Sequence, residues 1–395
     1  MNWKHLVAGI ALMALLPVFC IAQYYDYIPV GARSIGMGGT GIASARGGEA
    51  IYYNPALMGM DETVEFTLSG LRRYEAKDWP VGSYQGLTEG SHIMAHLASV
   101  VVPLSFQNNR ICLGISHSHP IEPVIYASGW SGGIDVFSPT LAIRMNDRIR
   151  IGMAANIWTG GMKRELDNGS GSIYTAAENE HSGFNSTIGV LVTLLEYYQQ
   201  HKVYLGASMK SGFDLKVDGK VPILYVGSIS LYENRNIGMP IMTSIGLSWV
   251  FNNRTTFAVD YEYAFDRTQP NTSPPDEVFP VEYGYAEDSH NFRFGSEYLL
   301  QLQELVLPIR MGYRTFGTPF LNEDGSQVLG EALSIGLGVQ INWAQLDIAY
   351  EKVEFAQRSS WMNNREIPES LPRAAVNYQI NSFVVSATVN IEELW

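Results

Sequence analysis

Apolar and polar residues alternate over long runs of this chain. Leu333, Ile335, Leu337, Val339 and Ile341 interleave with Ser334, Gly336, Gly338, Gln340 and Asn342. Phe383, Val385, Ala387, Val389 and Ile391 interleave with Ser386, Thr388 and Asn390, and Phe257, Val259, Tyr261, Tyr263 and Phe265 with Ala258, Asp260, Glu262 and Ala264. A period of two marks a strand whose faces meet different surroundings. Read this way throughout, the chain gives fourteen strands, near 62–73, 92–106, 110–118, 134–145, 148–160, 183–195, 202–213, 239–251, 254–266, 289–301, 304–316, 331–342, 344–356 and 381–392. Most reach the ~9–11 residues that a tilted strand needs to cross a bilayer.

The links between strands alternate too. Short ones, such as Asn146-Asp147, Asn252-Asn253 and Trp343, follow even-numbered strands; long ones (74–91, 119–133, 161–182, 214–238, 267–288, 317–330, 357–380) follow odd-numbered strands. An even strand count with short turns at one end and long loops at the other is the plan of an outer-membrane barrel. The expected fold is therefore all-β, a 14-stranded antiparallel transmembrane β-barrel, with both termini periplasmic and outer-membrane lipid around it. The polar face of the later strands carries Asp260, Glu262, Arg293, Glu297, Arg310 and Arg314. A basic residue facing lipid at the midplane costs about 2–4 kcal/mol, so these six are expected inside, as a structural charge network in the lumen. Tyr197, Tyr198, Trp249, Phe251, Trp343 and Trp395 gather at the short-turn ends, and Tyr263, Phe265, Tyr313, Phe316 and Phe355 towards the other ends, as two interfacial girdles would.

The N-terminus changes the picture for the first residues only. Lys4 and His5 precede an apolar run from Leu6 to Ile21 that ends in Cys20-Ile21-Ala22, the form of a secretory signal peptide over 1–22. Of the 2 cysteines, Cys112 alone lies beyond that segment, which excludes an internal disulfide and a cysteine-pair zinc site. With 26 Lys and Arg against 39 Asp and Glu, the chain is acidic, which argues against nucleic acid as a partner. His117 and His119 share a strand face, but two imidazoles lack the third ligand a metal site needs. No Ser/His/Asp arrangement can be assembled from motifs. Neither a metal, a cofactor nor an enzymatic activity is expected.

Residues 23–61 do not alternate. They contain Gly31-Ala32-Arg33-Ser34-Ile35-Gly36-Met37-Gly38-Gly39-Thr40-Gly41 and Ile51-Tyr52-Tyr53-Asn54-Pro55-Ala56-Leu57. Gly36, Gly38 and Gly41 fit a dinucleotide-binding pattern, but no strand precedes them and no βαβ unit follows. Glycines here read instead as tight packing in a crowded space. Pro55 restricts both itself and Asn54, whose side chain can set a turn. This opening, followed by a barrel, resembles the FadL/TodX group of outer-membrane transporters for hydrophobic compounds; PorV/PorQ-type proteins have similar openings. The resemblance implies a small hatch over 23–61 inside a barrel over 62–395, with Gly36, Gly38, Gly39, Tyr53, Asn54, Pro55 and Ala56 as hatch residues. Leu57 departs from the glycine usual after Asn-Pro-Ala.

The resemblance also implies passive diffusion of a hydrophobic small molecule, such as a long-chain fatty acid, with sideways release at a bent third strand. Strand 3, read as the shortest, runs into His119-Pro120 and Glu122-Pro123. His117, His119, Pro120 and Pro123 are accordingly the candidates for a lateral opening, because proline interrupts a ladder. The alternative is a secretion accessory whose outer loops bind secretion-system proteins.

Overall fold

In the computed structural model, residues 28–60, 62–79, 86–106, 109–121, 130–167, 173–198, 200–223, 229–265, 289–321, 327–358 and 375–391 are described. Residues 1–27, Pro123, 266–288, 359–374 and 392–395 are among those that lie outside them. The plug comes first: helix α1 (Ala32–Gly36), helix α2 (Gly47–Tyr53) and a 3-10 turn (Pro55–Met60). The strands follow: β1 (Val64–Trp79), β2 (Gly86–Phe106), β3 (Asn109–Ile121), β4 (Trp130–Arg144), β5 (Ile149–Asp167), β6 (Ile173–Tyr197), β7 (His201–Lys210), β8 (Phe213–Ile223), β9 (Ile229–Met239), β10 (Ile241–Phe251), β11 (Thr255–Phe265), β12 (Ser289–Leu302), β13 (Leu305–Leu321), β14 (Gln327–Ile341), β15 (Ala344–Arg358) and β16 (Ala375–Ile391).

Sequential neighbours pair antiparallel, and β1 pairs with β16 from Val64↔Ile391 to Asp78↔Asn377, so the sheet closes on itself. The sixteen segments make fourteen wall strands, because β8 continues β7 and β9 leads into β10. Lys210 pairs with Met242 and, past a break at Ser211, Gly212 and Pro240, Phe213 pairs with Met239 in the same register. Proline has no amide to give the ladder at that point. This corrects the reading of 214–238 as a loop: 213–239 is a hairpin that carries the seventh and eighth wall strands beyond the barrel rim, and β8 keeps pairing with β6. It also corrects the reading of the third strand as the shortest: β3 has 13 residues and β7 has 10.

Outside and inside alternate as the sequence requires. On β14, Leu333, Ile335 and Leu337 are 64%, 60% and 62% exposed, whereas Ala332 and Ser334 are buried. Leu68, Phe257, Ile348, Phe383 and Val385 continue the apolar outer surface. No helix among the described residues is long and apolar enough to span a bilayer. Asn252 and Asn253, both with positive φ, form the two-residue turn between β10 and β11, a geometry that asparagine tolerates and that matches strand twist. Trp249 and Phe251 meet edge to face, with ring centroids 5.7 Å apart, at that same end.

A closed barrel with this outer surface stays folded in detergent until heated. Unboiled protein should therefore migrate differently from boiled protein on a denaturing gel, and identical mobilities would contradict closure.

Candidate functional site

The plug lies against the inner wall, and the wall makes room for it with glycine. On β7 and β10, Gly206 and Gly246 pair with each other, and the backbone of Ile42 and Ala43 crosses directly over them. On β5 and β6, Gly152 and Gly189 pair, under Pro55-Ala56 and the Asn54 side chain. On β12 and β13, Gly295 and Gly312 pair, under Met37 and Gly38. A Cβ on Gly36 would stand 3.0 Å from Gly336 Cα on β14, and Gly114 on β3 receives Met58 and Ile51. The glycines thus form a belt on the inner wall, each traded for close backbone approach. Gly38 and Gly39 hold φ values of 68° and 75°, a left-handed stretch that residues with a Cβ avoid.

Hydrogen bonds finish the seat. Asn54 is wholly buried. Its Nδ2 donates to Ile42 O (2.8 Å) and to Val190 O of β6 (3.1 Å), and its Oδ1 accepts the Ala56 amide (3.1 Å). The asparagine therefore turns the chain ahead of Pro55 and rivets the turn to the wall. Leu57 fits this turn, its amide donating to Asn54 O at 3.0 Å. The Tyr53 hydroxyl accepts the Val30 amide (2.9 Å). Sequence reasoning missed Glu49. Its carboxylate accepts the amides of Arg33 and Ser34, both at 3.1 Å, and the Ser34 hydroxyl at 2.6 Å, so α2 caps the start of α1.

The six charged residues read from the strand pattern all point inward, and two of them, Asp260 and Glu297, join plug to wall. Asp260 Oδ2 accepts the amides of Gly41 (2.6 Å) and Ile42 (3.0 Å). Glu297 takes both arms of Arg33 at 3.0 and 2.9 Å and also Arg310 at 2.7 Å, and Arg310 continues to Asp347 at 2.6 Å. Glu262 pairs with Arg293 at 2.6 Å, and Arg314 grips Glu351 through two bonds. Cation and anion alternate across β11 to β15. Arg33, Asp347 and Glu351 are partners the strand pattern could not single out, since pairing across strands depends on register.

Over the plug is a small cavity lined by Pro29, Ile42, Tyr52, Tyr53, Lys210, Met242, Ser244, Glu262 and Arg293. Lys210 ends β7, and its ammonium sits 3.7 Å from the centre of the Tyr52 ring, a cation–π contact. Glu262 pairs with Arg293 and also lies near Lys210, so the cavity holds two cations against one carboxylate. Tyrosine rings, Met242 and Ile42 supply its apolar surface.

Among the described residues the wall is interrupted between β2 and β3, as it also is where β6 passes from β7 to β8 and along the open edge of β9. β2 and β3 pair from Phe106↔Asn109 to Leu97↔Ser118 and no further, although β2 runs on to Gly86 and β3 to Ile121. Beyond this point β2 pairs only with β1 and β3 only with β4. Of the four lateral candidates, His117, His119 and Pro120 lie at this seam, and Pro123 is outside the described residues. His119 Nδ1 and His117 Nε2 both approach Asp135 Oδ1, at 2.7 and 3.4 Å. Among the described residues no group of three or more His, Cys, Asp or Glu is arranged to hold a metal.

No protein-family model matches the sequence, and no curated protein does either. Solved structures do match in shape. A Pseudomonas aeruginosa FadL homologue aligns with 93% of this chain and 100% of its own, with TM-score 0.63 and 13% identity. The monoaromatic hydrocarbon channel CymD aligns with 93% of this chain and 99% of its own, with TM-score 0.61 and 15% identity. The Pseudomonas putida toluene transporter TodX aligns with 94% and 100%, with TM-score 0.60 and 14% identity.

Breaking the charge chain should cost stability first. Arg310→Ala takes the cation from Asp347 and leaves Glu297 with Arg33, and is expected to lower stability by about 3–5 kcal/mol, the range for removing one partner of a buried pair. A thermal melt followed by unboiled-gel mobility reads this out, and an unchanged midpoint would show that the chain carries no load. Ending the geometry where the comparisons end, the chain has the plugged 14-stranded barrel fold of the FadL- and TodX-type transporter structures.

Proposed function

We propose that this chain is an outer-membrane transporter of hydrophobic small molecules, which bind over the plug and leave sideways through the seam between β2 and β3. The seam carries this reading. A barrel in hydrocarbon leaves no backbone donor unpaired without cost, and the β2–β3 interruption is the one that lies beside the plug. A lateral exit delivers a hydrophobic molecule into lipid without passing it through water, where its surface would be solvated at about 25 cal/mol per Å². His117, His119 and Pro120 edge that exit. The Asn54–Ala56 turn and Gly36, Gly38 and Gly39 belong to the fixed seat of the plug, with the short turns and both chain ends on the periplasmic side.

The cavity has room for only the head of a ligand, and the head we place there is the carboxylate of an amphiphile such as a long-chain fatty acid, at Lys210. The hydrocarbon channels that share the fold make a neutral ligand the natural comparison.

Uptake of a labelled fatty acid and of a labelled monoaromatic hydrocarbon should be measured in cells with and without the gene. Protein-dependent, saturable uptake of either supports transport. Absence of both, with secretion proteins co-purifying, would replace this reading with a secretion accessory. Lys210→Gln is expected to raise the half-saturating concentration for the fatty acid roughly tenfold, in keeping with a partly desolvated ion pair, and to leave the neutral hydrocarbon unaffected. Equal effects on both would move the carboxylate elsewhere.

A further inference from the structure

Three arginines stand in a row at the short-turn end of the lumen. Arg110 of β3 pairs in the ladder with Arg144 of β4, and Arg144 pairs with Arg150 of β5. Residues paired in this way share a face of the sheet. The face is the inner one: two residues further along it stand Cys112, Ala142 and Gly152, which pack against the plug. Paired Cβ atoms are about 5 Å apart, and like charges at that spacing repel. The carboxylates at hand do not settle the row. Arg110 pairs with Glu62, and Arg144 with Asp147 at 3.0 Å, but these two side chains are 69% and 97% exposed, so each pair is weak. Arg150 has no carboxylate within ion-pair distance among the described residues. It is buried, its Nη1 donates to Thr193 Oγ1 at 3.1 Å, and its Nε has no acceptor. Its stem lies against Gly59 of the 3-10 turn, so it stands where plug meets wall. Two further cations are close. Arg148 is exposed in the β4–β5 turn. Arg46, which shares Tyr204 as a neighbour with Arg150, reaches only to 3.8 Å from Glu297, a carboxylate that Arg33 and Arg310 already hold. A basic mouth is thus built into a chain whose net charge is −13.

We propose that this mouth is a docking site for an acidic peptide segment of a protein on the short-turn side, with Arg110 and Arg144 at its lip and Arg150 at its floor. Carboxylates complement guanidinium groups, which can hold them through two parallel bonds. The row spans two strand spacings, about 10 Å. One small anion cannot cover that length, whereas alternate residues of an extended peptide lie about 7 Å apart and present successive carboxylates to it. The arginines face the lumen and not the lipid, so a membrane headgroup is the poorer fit. The inference stands apart from which ligand crosses the barrel. It takes from the reading above only that the short turns face the periplasm, and binding to the purified protein does not depend on that orientation.

The test uses the full chain in an uncharged detergent at low salt. The probe is a short fluorescein-labelled peptide of alternating Glu and Ser, followed by fluorescence anisotropy, and the same peptide with Gln for Glu is the control. The acidic peptide should bind saturably and the control should not. Arg110→Gln and Arg144→Gln should each weaken binding roughly fivefold, the upper end for an exposed charge pair. Arg254→Gln, which removes an exposed arginine at the β10–β11 turn, should leave it unchanged. Melting followed by unboiled-gel mobility separates binding from structure: with repulsion in the row relieved, Arg144→Gln should melt no lower than the parent. Absence of peptide binding overturns the proposal. So does binding that Arg110→Gln and Arg144→Gln leave intact, or that Arg254→Gln weakens equally, which marks a diffuse charge effect. A lower melting point in Arg144→Gln with binding unchanged makes the row structural. Inorganic phosphate or anionic phospholipid that binds through these arginines where the peptide does not would give the row to a small ion or to lipid, and either result overturns the peptide site.

Discussion

A peptide group in hydrocarbon has no water to bond, and this constraint shapes the molecule at two levels. It closes the wall, because every strand must find neighbours on both sides. It then governs the lumen, where the plug's own backbone must be satisfied without strands of its own. The wall supplies the missing partners as side chains: Asp260 for Gly41 and Ile42, Ser334 for Gly38, Ser386 for Ala32 and Glu65 for Gly48. The irregular segment is held by the same currency that holds the barrel, delivered from polar inward positions of at least four strands.

Much of the wall is legible in the sequence because each strand meets two surroundings. Leu333 to Ile341 could hardly be anything but a strand with oil on one side. The same logic failed at 214–238. Leu215 and Val217 alternate with Asp214, Lys216 and Asp218, but this hairpin continues past the length a bilayer demands, and a reading keyed to membrane thickness stopped short of it. The inward charges were legible as a group and not as pairs. Arg310 reaches Glu297 and Asp347 through the register of β12, β13, β14 and β15, which local sequence does not encode. The turn at Asn54 follows from asparagine and proline chemistry, whereas its second bond, to Val190 O, needed the fold.

The described plug is held to the wall along its length. From α1 to the 3-10 turn it is fixed by glycine contacts, buried ion pairs and Asn54, and it shares a hydrophobic cluster with the wall that includes Ile51, Leu57, Met58 and Cys112. Ahead of Gly31, Ile28 packs in a second cluster with Ala32, Ile35, Leu71, Ala349 and Val384, and its amide donates to Pro120 O at 2.8 Å.

The glycine belt also bears on how the molecule can be put together. Backbone meets backbone on strands as far apart as β5 and β14, with no Cβ to spare between them. A finished cylinder offers no clearance through which such a segment could be threaded and rotated into register afterwards. The N-terminal segment precedes every strand in the chain, and β1 and β16 are the pair that completes the circle. Biogenesis on this plan wraps the staves around a core already lying in place, with the final β1–β16 join acting as the hoop.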